Sequence, residues 1–480
     1  MLFNSLGYAL FLPLFFAAYW MLSRGPLKWQ NALVVFGSYY FYAQWDWRFL
    51  SLIVISTLID YFLSLGISAS TSDRKRKLLL WASVVANLGM LGTFKYAGFF
   101  VDSWIAMWGE FGVTLEPRSW QLPLVAGISF YTFQTLSYTI DTYRHQLTPT
   151  KDFIAYAAYV SFFPQLIAGP IERATNLLPQ FLQKREFDAD MAIDGLRQFA
   201  WGFFKKVAIA DSCALYSDVI FNHADSQPGS VLALGTVYFA FYIYCDFSGY
   251  SDMAIGTGKM LGIRLMTNFR YPYFSRDIAE FWRRWHISLS TWFRDYVYVP
   301  LGGSRRGTAR NVFNVMVVFV VSGFWHGASW HFVIWGFLNA LYFVPLMVIG
   351  RNRKHLDEVA GNRLLPSVRD VIAMACTFGL TCVAWVWFRA TSYTTAIDYF
   401  RGMFSESLIT VPLQTLPELE HYAFEGLLNI GLLVVIEWFN RHREHPLQGR
   451  GANVKLLAVI FFTALLGVFA NQSKFIYFQF

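Results

Sequence analysis

Residues 311–349, NVFNVMVVFVVSGFWHGASWHFVIWGFLNALYFVPLMVI, contain no aspartate, glutamate, lysine or arginine. A helix needs about 20 predominantly apolar residues to cross a hydrocarbon core of about 30 Å. Such a run is unfavourable in contact with water and favourable in a lipid bilayer. The stretch therefore predicts helix that spans a membrane.

The composition of the whole chain agrees with this prediction. Of its 480 residues, 15% are charged, 55% are hydrophobic and 19% are aromatic, whereas charged residues make up roughly a quarter of an average soluble domain. The density of aromatic side chains excludes a disordered chain. Four scattered cysteines exclude a disulfide scaffold and follow no metal-binding spacing. The net charge of +8 resides in loops, without a nucleic-acid-binding motif, so we predict a polytopic membrane protein that contacts lipid and no nucleic acid.

Further apolar runs of spanning length occur along the chain. They cover residues 5–23, 29–46, 49–69, 78–104, 121–143, 152–171, 194–220, 230–262, 311–349, 366–390, 424–440 and 452–472. Because such runs can merge, break or re-enter, we predict about eleven membrane-spanning helices together with amphipathic or re-entrant helices. The polar stretches between them are too short to build a soluble domain. We therefore predict one all-α, membrane-embedded domain over residues 1–480.

Basic residues alternate between the early connections. They occupy the first, third and fifth loops, at Arg24 and Lys28, at residues 74–77, and at Arg144 and Lys151. Lysine and arginine concentrate in cytoplasmic loops of membrane proteins. The alternation predicts an extracytoplasmic N-terminus.

Residues 277–310 do not fit a simple span. At 100° per residue, an apolar stripe forms along one side of a helix, from Trp282, Trp285, Leu289, Trp292, Phe293 and Tyr296. Arg283, Ser290 and Arg294 fall on another stripe, with His286 at its edge. Such a helix either lies in the membrane interface or lines a polar pocket, and periodicity leaves both alternatives open. The glycine-rich residues 300–307 that follow predict a tight turn into a basic cytoplasmic loop.

His326 lies well inside the apolar run 311–349. An ionisable side chain at membrane depth is costly and indicates a functional site, and imidazole transfers protons near neutral pH. The alternative is a histidine that packs helices and donates to a carbonyl. His331 stands about 140° away around a helix, so the two histidines do not form a zinc site. Asp246 also falls at membrane depth and is predicted to line a pocket or to pair with another polar group.

FWRRWHISLSTWFRDYVYVPLGG (281–303) and FWHGASWHFVIWG (324–336) resemble the membrane-bound O-acyltransferase family. Further segments share the resemblance, namely residues 127–134, 161–171, 202–206, 244–252 and 475–480. The similarity is to the bacterial branch that modifies extracytoplasmic polysaccharides, by acetylation of alginate, peptidoglycan or cellulose or by D-alanylation of teichoic acid. It implies an acetyltransferase in the bacterial inner membrane, with alginate as the first expectation for the polymer.

The resemblance also implies roles for individual residues. His326 is the expected catalytic base, and His286 is expected to bind the acyl carbonyl or to orient the donor. The donor is expected to be acetyl-coenzyme A or another acyl thioester, with no bound cofactor and no metal. The predicted substrate-binding residues are Arg283, Arg284, Arg294, Ser290, Trp325 and Asp246. The arginines are also consistent with interface anchors.

A chain without a soluble domain has nothing to hold a polymer, so we expect an extracytoplasmic partner with a serine-type, SGNH-like hydrolase fold. A channel or transporter with a buried histidine is the alternative from another functional class. Transport does not require the segment rich in tryptophan, arginine and histidine beside His326, and this segment favours the enzyme.

Overall fold

The computed structural model describes residues 1–123, 125–416, 418–469 and 475–476. These residues are mainly helical, which confirms the predicted all-α membrane protein. One hairpin of two short strands accompanies the helices. The described residues form two compact units, residues 1–195 with 254–266, and residues 196–253 with 267–480.

The first unit contains nine complete helices among its described residues. They are α1 (Leu6–Leu22), α2 (Leu27–Asp46), α3 (Leu50–Ala69), α4 (Asp73–Leu91), α5 (Ala97–Glu110), α6 (Ile128–Tyr143), α7 (Phe153–Ser161), α8 (Phe163–Leu166) and α9 (Ala174–Leu182). A π-helical turn, Gly92–Tyr96, joins α4 to α5. Helix α4 begins where the Ser72 hydroxyl accepts the backbone N–H of Lys75, which satisfies a free donor of its first turn.

Helices α3, α4 and α6 enclose a polar group that we call the Asp60 cluster: Asp60, Ser83, Asn87 and Thr139. Asp60 Oδ1 accepts from the hydroxyls of Ser83 and Thr139, and its Oδ2 accepts from Asn87 Nδ2 at 2.8 Å. All four side chains are buried. Hydrogen bonds between polar side chains hold helices together in a membrane, so this cluster fixes three helices of the unit to one another.

The second unit begins within α10 and includes most of α12. Its helices are α10 (Ala189–Phe204), α11 (Asp211–Asn222), α12 (Gly229–Met260), α13 (Ile278–Arg284), α14 (Ile287–Phe293), α15 (Thr308–His326), α16 (Trp330–Val348), α17 (Val368–Arg389), α18 (Tyr393–Met403), α19 (Leu427–Asn440) and α20 (Ala452–Leu466). Strands β1 (Thr415–Leu416) and β2 (His421–Tyr422) form the antiparallel hairpin. Two π-helical turns, Lys205–Ala210 and Arg294–Tyr298, follow α10 and α14.

The apolar run 311–349 is two helices, α15 and α16, rather than one continuous stretch. Gly327 has extended backbone after the last residue of α15, and Ser329 has extended backbone before α16. A Cβ atom on Gly323 would overlap the carbonyl oxygen of Phe332, and one on Gly336 would overlap that of Phe319. Glycine at both positions therefore lets the two backbones cross closely.

The predicted single helix over residues 277–296 was wrong. His286 has a φ of +43° and a ψ of 54°, in the left-handed region, and it separates α13 from α14. Residues on either side of this break belong to helices with different axes, so one helical wheel does not describe them. The tight turn predicted at 300–307 is present, with positive φ at Gly302, Gly303 and Gly307.

Six continuous helical segments in the described ranges are long and apolar enough to cross a membrane, and three shorter apolar helices accompany them. The span predicted at 152–171 was wrong. Helix α7 ends at Ser161, where Phe162 leaves helical geometry with a ψ of 107°, and Pro164, which has no backbone N–H to continue the helix, lies in the first turn of α8. The short helix α8 follows, and both helices are almost fully buried.

Candidate active site

Two histidines that are distant in sequence meet in the second unit. His326 is the last residue of α15, and His286 lies between α13 and α14. Their ring centroids are 6.4 Å apart. His326 is 4% exposed and His286 is 1% exposed. The structure therefore brings together the two histidines that the sequence nominated, in surroundings that admit little water.

Aromatic rings surround His326. The centroid of its ring lies 5.0 Å from that of Trp325, 5.1 Å from that of Trp335 and 5.4 Å from that of Phe388. All three contacts are edge-to-face. Rings of this size limit the motion of the imidazole, and they leave a low-dielectric environment in which polar interactions are strong.

His286 has both aromatic and polar neighbours. The ring of Phe247, from α12, lies edge-on at 4.7 Å between centroids. Its Nδ1 lies 3.2 Å from Oδ1 of Asn268, a fully buried residue in the segment between α12 and α13. The same oxygen accepts the hydroxyl and the backbone N–H of Ser288. The segment before α13 thus supplies a polar partner, Asn268, for the imidazole of His286.

A buried ionic network adjoins Phe247. Asp246 Oδ1 lies 2.8 Å from the ammonium of Lys206, which also lies 2.7 Å from Asp211. Lys205, the next residue of the same π-helical turn, lies 2.6 Å from Asp252. Oppositely charged partners make buried charges tolerable. Asp246, which was predicted to bind substrate, therefore forms an ion pair with Lys206 through its carboxylate.

The C-terminal segment, which carried part of the resemblance, contacts the same part of α12. The backbone N–H of Ile476 donates to Asp246 Oδ2 at 2.7 Å. The ring of Phe475 lies 4.9 Å from that of Tyr250 and 6.4 Å from that of Phe247. Residues 477–480 lie outside the described residues.

A cavity of about 440 Å³ opens in the second unit, among residues of α14, α15 and α16 and the segments that follow α14 and α16. Its polar lining includes Ser290, Arg294 and Arg353, and its apolar lining includes Phe319. The remaining lining residues are Tyr298, Ser304, Asn311, Val315, Val318, Phe343, Met347 and Asn352. This volume is in the range of small-molecule pockets. Of the predicted substrate-binding residues, Ser290 and Arg294 lie in its lining.

Aromatic contacts connect the cavity to His326. The ring of Phe319 lies 5.3 Å from that of Trp282. Trp282 lies 5.8 Å from Trp335, which packs against His326. The cavity and the imidazole are therefore separated by a short series of packed rings.

The three predicted arginines have different surroundings. Arg283 donates to the backbone carbonyls of Asn352 and His355, at 2.7 Å each. Arg284 forms an ion pair with Glu280 at 2.8 Å. Arg294 is paired with the adjacent Asp295, and its side chain is 60% exposed. Arg283 thus holds the loop after α16, whereas Arg294 remains accessible from the cavity.

The loop after α16 has a second attachment. Arg276 donates to the carboxylate and the backbone carbonyl of Asp357. Its guanidinium holds the pKa of the Asp357 carboxyl below its ordinary value through the hydrogen bond. Together with Arg283, this contact fixes the loop that carries Arg353 to the cavity.

Several residues of the site were not predicted from the sequence. Asn268, Phe388 and Arg353 belong to segments without a distinctive pattern, and Trp335 was not singled out within the quoted segment 324–336, so only the folded chain places them here. The other histidine of the apolar run, His331, has its Nδ1 3.2 Å from the carbonyl of Trp387. Within the described residues, no group of histidine, cysteine and carboxylate side chains could hold a metal ion.

Comparisons of the sequence with known proteins identify the family of this chain. Residues 41–387 match the model of the membrane-bound O-acyltransferase family. The chain is 40% identical over 444 residues to a protein named probable alginate O-acetylase AlgI from Azotobacter vinelandii, covering 92% of this chain and 85% of that protein. A protein of the same name from Pseudomonas aeruginosa is 40% identical over 399 residues, which is 82% of this chain and 73% of the relative.

A third relative carries a different name. The peptidoglycan O-acetyltransferase of Helicobacter pylori is 33% identical over 517 aligned residues, covering 98% of this chain and 95% of its own length. The family match covers most of the chain, including both histidines, and the relatives align over most of their lengths. This chain therefore belongs to the membrane-bound O-acyltransferase family.

Proposed function

We propose that this protein transfers acetyl groups from a cytoplasmic acyl thioester to an acceptor hydroxyl, for the O-acetylation of extracytoplasmic alginate. The meeting of His326 and His286 in a buried, ring-lined site carries the proposal. The names of the relatives from Azotobacter and Pseudomonas support alginate as the polymer.

The chemistry needs few groups because a thioester is already activated. The acceptor oxygen attacks the thioester carbonyl carbon and forms the new C–O bond, while the C–S bond breaks. The hydroxyl proton passes to an imidazole, and the departing thiolate takes up a proton. A positioned base contributes typically about 10²–10⁴-fold, and exclusion of water by the rings protects the acyl group from hydrolysis.

The cavity is the proposed entrance for the donor. Arg294 and Arg353 lie at its polar side and can bind anionic phosphates through charge-assisted hydrogen bonds. Its apolar side, at Phe319, leads toward Trp282 and the histidines. Arg283 and Arg284 act there as positioning residues, because their partners lie in the loop after α16 and in α13.

The basic loops support a cavity that opens to the cytoplasm and an N-terminus on the outside, in the bacterial inner membrane. Residues 304–310 contribute three arginines beside the cavity, as cytoplasmic loops do. An extracytoplasmic serine-type partner would receive the acetyl group and pass it to the polymer. A cysteine introduced at position 306 should react with an impermeant maleimide only in inverted vesicles; reaction in right-side-out vesicles would contradict this orientation.

Radiolabelled acetyl-coenzyme A supplied to inverted vesicles tests the transfer itself. Vesicles that carry the wild-type chain and enclose alginate oligosaccharide and extracytoplasmic extract in their lumen should consume the donor and label a product. His326→Ala should abolish this activity, whereas His331→Asn, which keeps a donor to the Trp387 carbonyl, should retain it. Equal turnover by wild type and His326→Ala would overturn the assignment.

Peptidoglycan is a second candidate polymer, which the Helicobacter relative supports by its name. The same vesicles separate the two candidates when alginate and peptidoglycan fragments are offered in parallel. Acetylation of peptidoglycan alone would replace alginate and leave the roles of both histidines unchanged.

A further inference from the structure

Asn268 lies where it can decide which nitrogen of His286 carries the proton. Its Oδ1 accepts the backbone N–H of Ser288 at 3.3 Å and the hydroxyl of Ser288 at 2.9 Å. Its Nδ2 donates to the hydroxyl of Ser251 at 3.1 Å. A backbone N–H can only donate, so the side-chain atom that faces it must be the oxygen. The orientation of the Asn268 amide is therefore set by its partners.

This orientation has a direct consequence for the imidazole. His286 Nδ1 lies 3.2 Å from Asn268 Oδ1, which has no proton to donate. The Ser288 hydroxyl lies 3.5 Å from Nδ1 but donates to Asn268 Oδ1 at 2.9 Å, so Nδ1 carries the hydrogen of its own contact with Asn268. In a neutral imidazole the other nitrogen, Nε2, then has the lone pair and accepts a hydrogen bond.

The backbone holds the two residues in this relation. Ile287 donates its N–H to the carbonyl oxygen of Asn268 at 2.9 Å, directly after the left-handed His286. The ring of Phe247 closes one side of the imidazole. Asn268 and His286 are both almost completely buried, so rotation of either side chain would break these contacts.

We propose that Asn268 is a positioning residue that holds His286 in the tautomer protonated on Nδ1, so that Nε2 receives the proton of the acyl acceptor. The inference rests on the proposed transfer reaction and changes the role of His286 in that reaction. A neutral His286 held in this way cannot donate from Nε2 to the acyl carbonyl, as the resemblance had suggested. The O–H bond of the acceptor breaks as Nε2–H forms, and this proton then passes to the thiolate that leaves.

Nitrogen NMR of the protein labelled with ¹⁵N-histidine in lipid tests the tautomer without any activity. The His286 signals are identified by their loss in His286→Gln. Wild type and Asn268→Asp, which keeps an oxygen toward Nδ1, should show a protonated Nδ1 and an unprotonated Nε2. Asn268→Leu should lose this preference. A wild-type His286 protonated on Nε2 and bare on Nδ1 would overturn the proposal.

Turnover in inverted vesicles tests the consequence for the reaction. Asn268→Leu should lower kcat about 10- to 100-fold for a hydroxyl acceptor, with little change in the KM for acetyl-coenzyme A, because it removes part of the help from a general base. Hydroxylamine, which attacks without prior loss of a proton, should narrow this difference. Asn268→Asp should stay within a few-fold of wild type.

Ser251→Ala is the matched control, because it removes the partner of Nδ2 and leaves Oδ1 in place. It should change kcat little. An equal loss with both acceptors, or an Asn268→Asp variant as slow as Asn268→Leu, would contradict the role of Asn268. Absence of transfer by the wild-type chain with every acceptor would contradict the proposed function instead, and the NMR result would still decide the tautomer.

Discussion

The Asp60 cluster of the first unit and the histidine site of the second both bury ionisable groups, but they surround them differently. Asp60 accepts hydrogen bonds from hydroxyl and amide groups on two neighbouring helices. His326 has three aromatic rings packed edge-on around it, and His286 has a polar partner and a phenylalanine. Hydrogen bonds to hydroxyl and amide groups tie the helices together, whereas packed aromatic rings hold the imidazole of His326 in a low-dielectric environment.

This difference predicts that substitutions at the two sites affect different properties of the protein. Variants in the Asp60 cluster should change the stability of the fold, and variants of the imidazoles should change turnover. Variants of the ionic network around Lys206 are expected to affect mainly stability, because the network is buried, and to a lesser degree turnover, because Asp246 adjoins Phe247, whose ring contacts His286.

The largest effect on turnover is expected for His326→Ala. Loss of an imidazole that takes part in proton transfer beside His286 should reduce acetyl transfer by about 10²–10⁴-fold. The apolar surroundings tolerate alanine, so the thermal midpoint of the protein in detergent should remain near that of wild type. A large fall in the midpoint would show that His326 stabilises the fold, as Asp60 is expected to do, and would contradict the proposed difference between the two sites.

Lys206→Met should give the largest loss of stability. The substitution leaves the carboxylates of Asp211 and Asp246 buried without their shared cation. Removal of one partner from a buried ion pair costs about 3–5 kcal/mol, measured by unfolding in mixed detergent. The triple variant Lys206→Met, Asp211→Asn and Asp246→Asn removes the charges together and should recover part of this loss. No recovery would contradict an electrostatic origin.

Asp60→Ala should lower the stability of the fold without changing the reaction. It removes the acceptor of Ser83, Asn87 and Thr139, and each buried donor left without a partner costs about 1–3 kcal/mol. The yield of folded protein should fall, while turnover for each folded molecule should stay the same. Ser64→Ala, which removes only a neighbour of Thr139, is the milder control. A selective loss of turnover would place Asp60 in the reaction.

The smallest effect is expected at the cavity mouth. Arg353→Ala should raise the KM for acetyl-coenzyme A roughly 10-fold with an unchanged kcat, because a charge-assisted hydrogen bond contributes about 1.5–3 kcal/mol and Arg353 is exposed. Arg351→Ala provides the control, as Arg351 lies in the same loop but not in the lining. Equal KM values for the two variants would remove the cavity from the path of the donor.

Much of the fold followed from local sequence. The long apolar runs predicted an all-α membrane protein, and the structure contains such helices at most of the predicted positions. The errors have local causes. Pro164 interrupts the run at 152–171, and Gly327 divides α15 from α16. Hydropathy averages over a window, so it does not register the backbone break within an apolar run.

The site was predicted less completely. His326 stood out because an imidazole is unusual at membrane depth, and His286 because of the motif around it. Their positions in one pocket could not be read from helical periodicity, since the left-handed turn at His286 ends the helix that the periodicity assumed.

The sequence alone established that this chain is embedded in a membrane, and it singled out His326 and His286 as candidates, because both inferences depend on the polarity of each residue and its near neighbours. Only the tertiary structure decided that Asn268 holds His286, that Phe247 packs against it and that Arg353 reaches the cavity. Such pairings depend on where separate helices cross and where the backbone turns. Burial then gives each of these contacts its strength, because water no longer competes for the same polar groups.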